Sequence, residues 1–166
     1  MATDRFCVSG QLGVDLDRVD VTQQFRLGSR VVDNEGGQWL YCLTTAIITG
    51  PGYACLLTNT TFTAAMINLT TSATARGQLV GFPSVAFASG EYGWFQVGGP
   101  CDNIRVLASA VAHVRLNTTA TDGALDDDAT AGSEEVVGAV IDVTAGGAAA
   151  TVAGNLVSDA SVGATL

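Results

Sequence analysis

The sequence contains no lysine and a single histidine, His113. Its seven basic residues are all arginine, and it has 16 acidic residues, so the formal net charge is −9 at pH 7. A chain without lysine cannot form a Walker A phosphate loop, a lysine Schiff base or a Ser-Lys dyad, which excludes several classes of enzyme. The acidic excess also disfavours direct contact with a phosphate backbone. We therefore expect no direct binding to nucleic acid.

Motifs for metal or covalent chemistry are also scarce. The four cysteines (Cys7, Cys42, Cys55 and Cys101) form no CxxC pair, and one histidine is too few for the usual zinc-ligand patterns. No G-x-S-x-G elbow accompanies His113, and "VAHVRL" around it alternates as a strand does, so we interpret this histidine as structural.

Neither group of acidic residues matches a metal-binding motif. The stretch "DLDRVD" at 15–20 lacks the central glycine and the distal glutamate of a calcium loop. The run Asp126–Asp128 is typical of a solvated acidic loop. We predict no catalytic residues, no metal and no cofactor.

Long apolar runs and an export signal are missing too. No apolar run approaches the roughly 18 residues that a transmembrane helix needs. The N-terminus "MATDRFCVSG" lacks the apolar core of a signal peptide. We therefore expect no membrane partner, synthesis in the cytoplasm, and cysteines that serve as small buried apolar residues.

The chain is rich in small and apolar residues. Apolar types make up 48% of the chain and charged types 14%, against about a quarter charged in an average domain. An excess of apolar surface favours contacts between subunits. Helical periodicity is nearly absent, whereas turn signals recur at short intervals. We predict an all-β fold, an antiparallel β-sandwich or jelly-roll or barrel-like domain. Its divisions would be an extended N-terminal arm at 1–27, the β-domain at 28–144, and an Ala/Gly-rich C-terminal strand or tail at 145–166.

Individual strands can be predicted from alternation and turn residues. Gly36-Gly37 supplies the backbone freedom for a hairpin between the strands Arg30–Val32 and Gln38–Thr44. Further on, we predict three short strands between Leu79 and Leu107, separated by turns at Ser89-Gly90 and Gly98–Pro100, because proline cannot donate to a ladder. The remaining predicted strands are Tyr53–Leu57, Phe62–Leu69, Val136–Val143 and, as one alternative for the C-terminus, Ala149–Val157.

The stretch "EYGWFQVGGP" at 91–100 concentrates aromatic residues in one strand. Alternation puts Tyr92 and Trp94 on one face and Phe95 and Val97 on the other. Because both faces are largely apolar, this indicates a central strand covered on both sides, or one facing a neighbouring subunit. Stacking on nucleic-acid bases would need a basic groove, which this chain lacks.

Three segments share a spacing of glycines and aromatic residues: "LGSRVVDNEGGQWLYC", "QLVGFPSVAFASGEYGWFQVGGPCDNIRVLASAVAHVRL" and "TTATDGALDDDATAGSEEVVGAV". Together they resemble the small β-rich capsid decoration (cement) proteins of tailed bacteriophages. The resemblance covers roughly residues 27–143 and consists of spaced glycines and aromatic residues rather than an active-site signature.

The resemblance implies a non-enzymatic virion protein on the exterior of an icosahedral capsid. Such proteins commonly form homotrimers at local threefold positions, where they clamp neighbouring major capsid subunits. The expected contact residues are Arg5, Phe6, Phe25, Arg26 and Arg30 of the arm, together with Tyr92 and Trp94.

Two other functions remain open from the sequence. One is another virion component, such as a head-fibre base or a tail protein. The other is a carbohydrate-binding β-module that would use Tyr92 and Trp94.

Overall fold

The computed structural model describes residues 7–9 and 13–163, whose regular secondary structure is almost entirely β. The predicted all-β fold is confirmed. In this part of the chain, no helix is long and apolar enough to cross a membrane. The elements are β1 (Cys7–Ser9), β2 (Arg30–Asp33), β3 (Gln38–Thr44), β4 (Cys55–Leu57), β5 (Thr63–Met66), α1 (Leu69–Ser72), β6 (Leu79–Pro83), β7 (Tyr92–Val106), β8 (Leu116–Thr118), β9 (Leu125–Asp126), β10 (Glu135–Ile141) and β11 (Ala150–Val162).

Five strands close into a ring that we call the first barrel. β7 pairs through its first half with β3, β3 pairs with β5, and β5 pairs with β4. β4 then pairs with β6, which returns to β7. Only the β3–β5 pairing is parallel. The associated core cluster consists of Leu40, Cys42, Ile48, Cys55, Leu57, Ala64, Phe87, Phe95 and Val97.

A second ring, the second barrel, uses the other half of β7. Here β7 pairs with β11, β11 with β10, and β10 with β8. β8 pairs with β9, and a single parallel pairing between β9 and β7 closes the ring. Because both ladders return to β7, neither barrel can form without that strand.

β7 is one continuous strand of 15 residues, so the predicted division into shorter strands at Gly98–Pro100 is wrong. Gly99 has a φ of +83°, and just before it the ladder with β3 shifts register between Gln96 and Gly98. Beyond it, Pro100 lies opposite Asn155 of β11. The glycines and the proline therefore form an irregularity within a strand, at the place where its partner changes from β3 to β11.

The predicted hairpin between β2 and β3 is confirmed with nearly the predicted bounds. The buried carboxylate of Asp33 organises its turn. One oxygen of Asp33 accepts hydrogen bonds from the backbone N–H groups of Glu35 (2.9 Å) and Gly37 (2.7 Å). The other accepts a hydrogen bond from the indole Nε1 of Trp39 at 2.8 Å.

The predicted strand Phe62–Leu69 is shorter than expected and spans Thr63–Met66. Its C-terminal residues lead into α1, for which Asn68 is the N-cap. The Asn68 side chain accepts hydrogen bonds from the backbone N–H groups of Thr70 and Thr71.

The two ends of the described chain pack on the barrels. The C-terminal segment forms β11, one of the two predicted alternatives, and pairs with β7 and β10 in the second barrel. Residues 13–27 form no strand, but Val14 and Leu16 are buried and Asp20 makes a two-way backbone bridge to Tyr92. The part of the expected arm that is described therefore lies against the first barrel.

Candidate functional site

Four aromatic side chains meet on the outside of the first barrel. Tyr41 of β3 pairs with Trp94 of β7, so their rings stand side by side with centroids 5.0 Å apart. Tyr92 stacks near Tyr41 at 6.3 Å. Phe25 packs on this group from the N-terminal segment, 5.2 Å from Tyr41 and 5.4 Å from Trp94. We call these four residues the aromatic cluster.

The aromatic cluster is a packed layer and not an open platform. Trp94 is 1% exposed and Tyr41 is 0% exposed. Phe25 packs against the Trp94 ring, and Tyr92 is half-buried. The predicted central strand with both faces covered is confirmed, because the opposite face of β7 places Phe95 and Val97 in the first-barrel core.

Asp20 fastens the N-terminal segment beside this cluster. Its backbone N–H and C=O both bond to Tyr92, at 2.9 Å and 2.8 Å. Its carboxylate accepts a hydrogen bond from the Tyr41 hydroxyl at 2.9 Å and lies 2.7 Å from Nε of Arg18. Burial raises the pKa of Tyr41 to about 12, and the hydrogen bond to Asp20 acts in the same direction.

Residues 21–26 form a surface ridge above the aromatic cluster. Phe25 points into the cluster, whereas the other five side chains are exposed. The backbone N–H of Gln24 donates to the Tyr41 hydroxyl at 3.3 Å, and the N–H of Gly28 donates to the Tyr41 carbonyl at 2.9 Å. The ridge is thus held on both sides of Phe25 and presents Val21, 78% exposed, and Arg26 to solvent.

The structure brings several predicted contact residues together. Phe25, Tyr92 and Trp94 share the aromatic cluster, and Arg26 extends from the ridge beside them. Arg26 has no ion-pair partner within residues 7–9 and 13–163, whereas Arg30 pairs with Asp159 of β11 at 2.6 Å. The predicted contacts Arg5 and Phe6 lie outside the described residues.

The sequence prediction missed Asp20 and Tyr41 as members of this site. Tyr41 could have been found from its alternation with Trp39 in "QWLYC", which places two large rings on one face of β3. Nothing in the sequence indicated Asp20, because its partners are 21 and 72 positions away in the chain.

Features of a small-molecule or metal site are limited in the described residues. The pocket lined by Trp39, Phe82 and Gln96 has a volume of about 20 Å³, room for about one water molecule. Within residues 7–9 and 13–163, no three His, Cys, Asp or Glu side chains are grouped as a metal ion requires.

His113 does not lie in a strand, so that prediction is wrong. It occupies a turn with a φ of +62°, and its side chain is 72% exposed. Its Nδ1 lies 4.0 Å from Asp142. Alternation around His113 suggested a strand, but the chain bends there before β8 begins at Leu116.

Cys42, Cys55 and Cys101 are buried, as predicted. Burial raises the pKa of Cys42 to about 12, and it raises that of Cys55 well above its ordinary value. Thiols in this environment stay protonated and are poor nucleophiles.

No family model, curated protein or solved structure matches this chain. What the molecule does must therefore be inferred from its own sequence, core and surface.

Proposed function

We propose that this chain is a structural, non-enzymatic virion protein that binds the exterior of an icosahedral tailed-bacteriophage capsid. It stabilises the shell by clamping neighbouring major capsid subunits. Its partners are the major capsid protein and further copies of itself, arranged as a homotrimer. It is made in the bacterial host cytoplasm and ends on the capsid exterior.

The observation that carries this function is the ridge at 21–26. It combines an exposed apolar side chain, Val21, with an arginine, Arg26, that has no ion-pair partner in the described chain. The half-buried ring of Phe25, packed on Tyr41 and Trp94, anchors the ridge between these two side chains. A surface held in place before binding loses less conformational entropy in the complex, and the planar guanidinium of arginine suits carboxylates on a partner.

The resemblance over roughly residues 27–143 supplies the class of partner. A homotrimer would present three ridges to the shell. Once one ridge binds, the others bind at an effective concentration on the order of millimolar, so weak single contacts add up to firm attachment. The arginines of the N-terminal segment would then bridge the boundary between capsid subunits.

Co-sedimentation with mature phage capsids stripped of accessory proteins tests this function. The full chain should saturate at a copy number that matches the local threefold positions. Arg26→Glu should weaken binding by about tenfold or more, because it removes the cation and places a carboxylate at the contact. Arg115→Glu makes the same charge change on the second barrel, at a 70% exposed side chain that pairs with Glu135 at 3.4 Å. It is the control once circular dichroism shows that the variant is folded, and it should bind within about twofold of the unmodified chain.

A chain lacking residues 1–6 tests the contribution of Arg5 and Phe6 separately. We expect it to bind more weakly while its tryptophan fluorescence spectrum stays unchanged. Absence of binding by the full chain, or equal effects of the two glutamate variants, would contradict the proposed function. Assembly of the purified chain alone into shells or tubes would point to a coat or tail component instead.

A further inference from the structure

Arg26 differs from the other arginines of the described chain because its guanidinium has no partner. The others contact an acidic or an aromatic side chain: Arg18 contacts Asp20, Arg30 contacts Asp159, Arg76 contacts Glu134, Arg115 contacts Glu135, and Arg105 lies over the ring of Tyr53. Among residues 7–9 and 13–163, Arg26 has neither kind of neighbour, and its side chain is exposed. Its charge is therefore available to a group outside the chain.

The chain places few acidic residues around the ridge, despite its net charge of −9. No Asp or Glu occurs at 21–32 or at 36–90, and the second stretch supplies β3, β4, β5 and β6 of the first barrel. At the borders of these stretches, the buried carboxylate of Asp20 accepts the Tyr41 hydroxyl, and the carboxylate of Glu91 accepts a backbone N–H within its own turn. An acidic partner thus meets little repulsion along these parts of the chain.

The exposed acids nearest to the ridge in the sequence are Asp15 and Asp17. They precede the backbone bridge between Asp20 and Tyr92, and one oxygen of Asp15 already accepts the Asp17 N–H at 3.0 Å. The ridge itself, from position 21 to position 26, carries a single charge, that of Arg26.

The backbone of the ridge presents hydrogen-bond donors. Two of its carbonyls are occupied from within: the side chain of Gln23 donates to the carbonyl of Phe25 at 2.9 Å, and that of Gln24 donates to the carbonyl of Thr22 at 3.1 Å. Apart from the N–H of Gln24, the backbone N–H groups of the ridge have no acceptor in the described part of the chain. Groups that accept hydrogen bonds therefore complement the ridge.

Carboxylates combine both properties that the ridge selects, negative charge and hydrogen-bond acceptance. A nucleic-acid backbone would need several free cations, whereas the ridge has one. We infer that the ridge binds an acidic peptide segment of its partner, with a carboxylate on the Arg26 guanidinium and further acceptors at the backbone N–H groups. The inference rests on the proposed function, which assigns the ridge to the capsid contact, and it names the chemistry of the capsid surface that is bound.

An NMR titration of the full chain with hexaglutamate tests the inference without any capsid, and hexaglutamine is the uncharged control peptide. At millimolar concentration, hexaglutamate should shift the backbone amide resonances of positions 21–26 and the side-chain resonance of Arg26. Hexaglutamine should leave them in place. Added salt should weaken the effect, because it screens exposed charges.

Arg26→Gln should lower the affinity for hexaglutamate by about fivefold or more, because it removes the cation and keeps a polar side chain. Arg115→Gln makes the same charge change on the second barrel and is the matched control, and the spectra show whether both variants are folded. The inference is overturned if hexaglutamate shifts the ridge resonances no more than hexaglutamine does, or if the two variants bind hexaglutamate equally.

Co-sedimentation with capsids in the same buffer separates this inference from the proposed function. If the chain binds capsids but does not recognise hexaglutamate, only the inference is overturned. If the chain recognises hexaglutamate through Arg26 but does not bind capsids, the proposed function is contradicted and the ridge remains a surface for acidic peptides.

Discussion

At the scale of single residues, Asp20 and Tyr41 show how one polar pair can fix a segment without regular structure. Asp20 bridges Tyr92 through its backbone and accepts the Tyr41 hydroxyl through its carboxylate. Since Tyr41 is fully buried, its hydroxyl needs these partners. The pair connects the N-terminal segment with β3 and β7 at one point.

We expect this pair to make stability sensitive to alkaline pH. The pKa of Tyr41 is about 12 in the fold against an ordinary value of 10.0, so its phenol loses a proton more readily when unfolded. The unfolded chain then binds fewer protons, and the free energy of unfolding falls as pH rises from about 10 toward 12. The pKa values of Cys42 and Cys55 are raised as well, so these thiols also lower the free energy of unfolding as pH rises, beginning near pH 9.

Tyr41→Phe isolates the tyrosine part of this effect. At pH 8 the variant should be less stable by about 2 kcal/mol, because the Asp20 carboxylate loses its hydroxyl donor. The difference should shrink between pH 10 and 12, since the variant has no phenol to ionise. Urea unfolding at a series of pH values measures it, and a constant difference across that range would refute the assignment to Tyr41.

At the scale of elements, the β2–β3 hairpin depends on one carboxylate for its turn. Asp33 is 1% exposed and accepts two backbone N–H groups and the indole N–H of Trp39. Gly36 in this turn has a φ of +88°, which a side chain would strain. The carbonyl of Gly36 also approaches Gly99 so closely that a Cβ there would clash. The hairpin tip and the irregularity in β7 are therefore fitted to each other.

Substitutions at Asp33 should separate these interactions. Asp33→Ala leaves buried donors without their acceptor and should cost on the order of 3 kcal/mol of unfolding free energy. Asp33→Asn keeps one oxygen for the backbone N–H groups but turns an amide N–H toward the Trp39 indole. Asp33→Asn should therefore lose less unfolding free energy than Asp33→Ala. Part of that loss should be recovered when Trp39→Phe removes the indole N–H, and a double-mutant cycle in urea measures the recovery. Additive effects of the two changes would argue against this network.

At the scale of the whole molecule, β7 makes the two barrels one cooperative unit. Its first half closes the first barrel with β3 and β6, and its second half closes the other with β11 and β9. If one barrel unfolds, the other loses β7 as one of its strands. We therefore expect a single unfolding transition, even though the two cores are distinct clusters.

Leu116→Ala tests this coupling from a distance. Leu116 is fully buried in the second barrel, so the cavity should cost about 2–5 kcal/mol. Both tryptophans, Trp39 and Trp94, lie beside the first barrel. Their fluorescence should nevertheless report the full loss of unfolding free energy, and its urea midpoint should equal the midpoint from circular dichroism. Two separate transitions, with the fluorescence midpoint unmoved, would show that the barrels unfold independently.

The sequence by itself determined the local features of this protein. Alternation and turn residues gave the all-β class, the β2–β3 hairpin and the two covered faces of "YGWFQV", because these depend on neighbours within a few positions. The sequence also fixed the acidic charge and the absence of lysine. Only the tertiary structure decided that Gly98–Pro100 continues a strand, that His113 sits in a turn, and that Asp20 meets Tyr41. Each of these features depends on partners that are far away in the chain. β7 continues beyond the glycines because β11 pairs with it there. The closed ladders, rather than local propensity, set where the backbone bends.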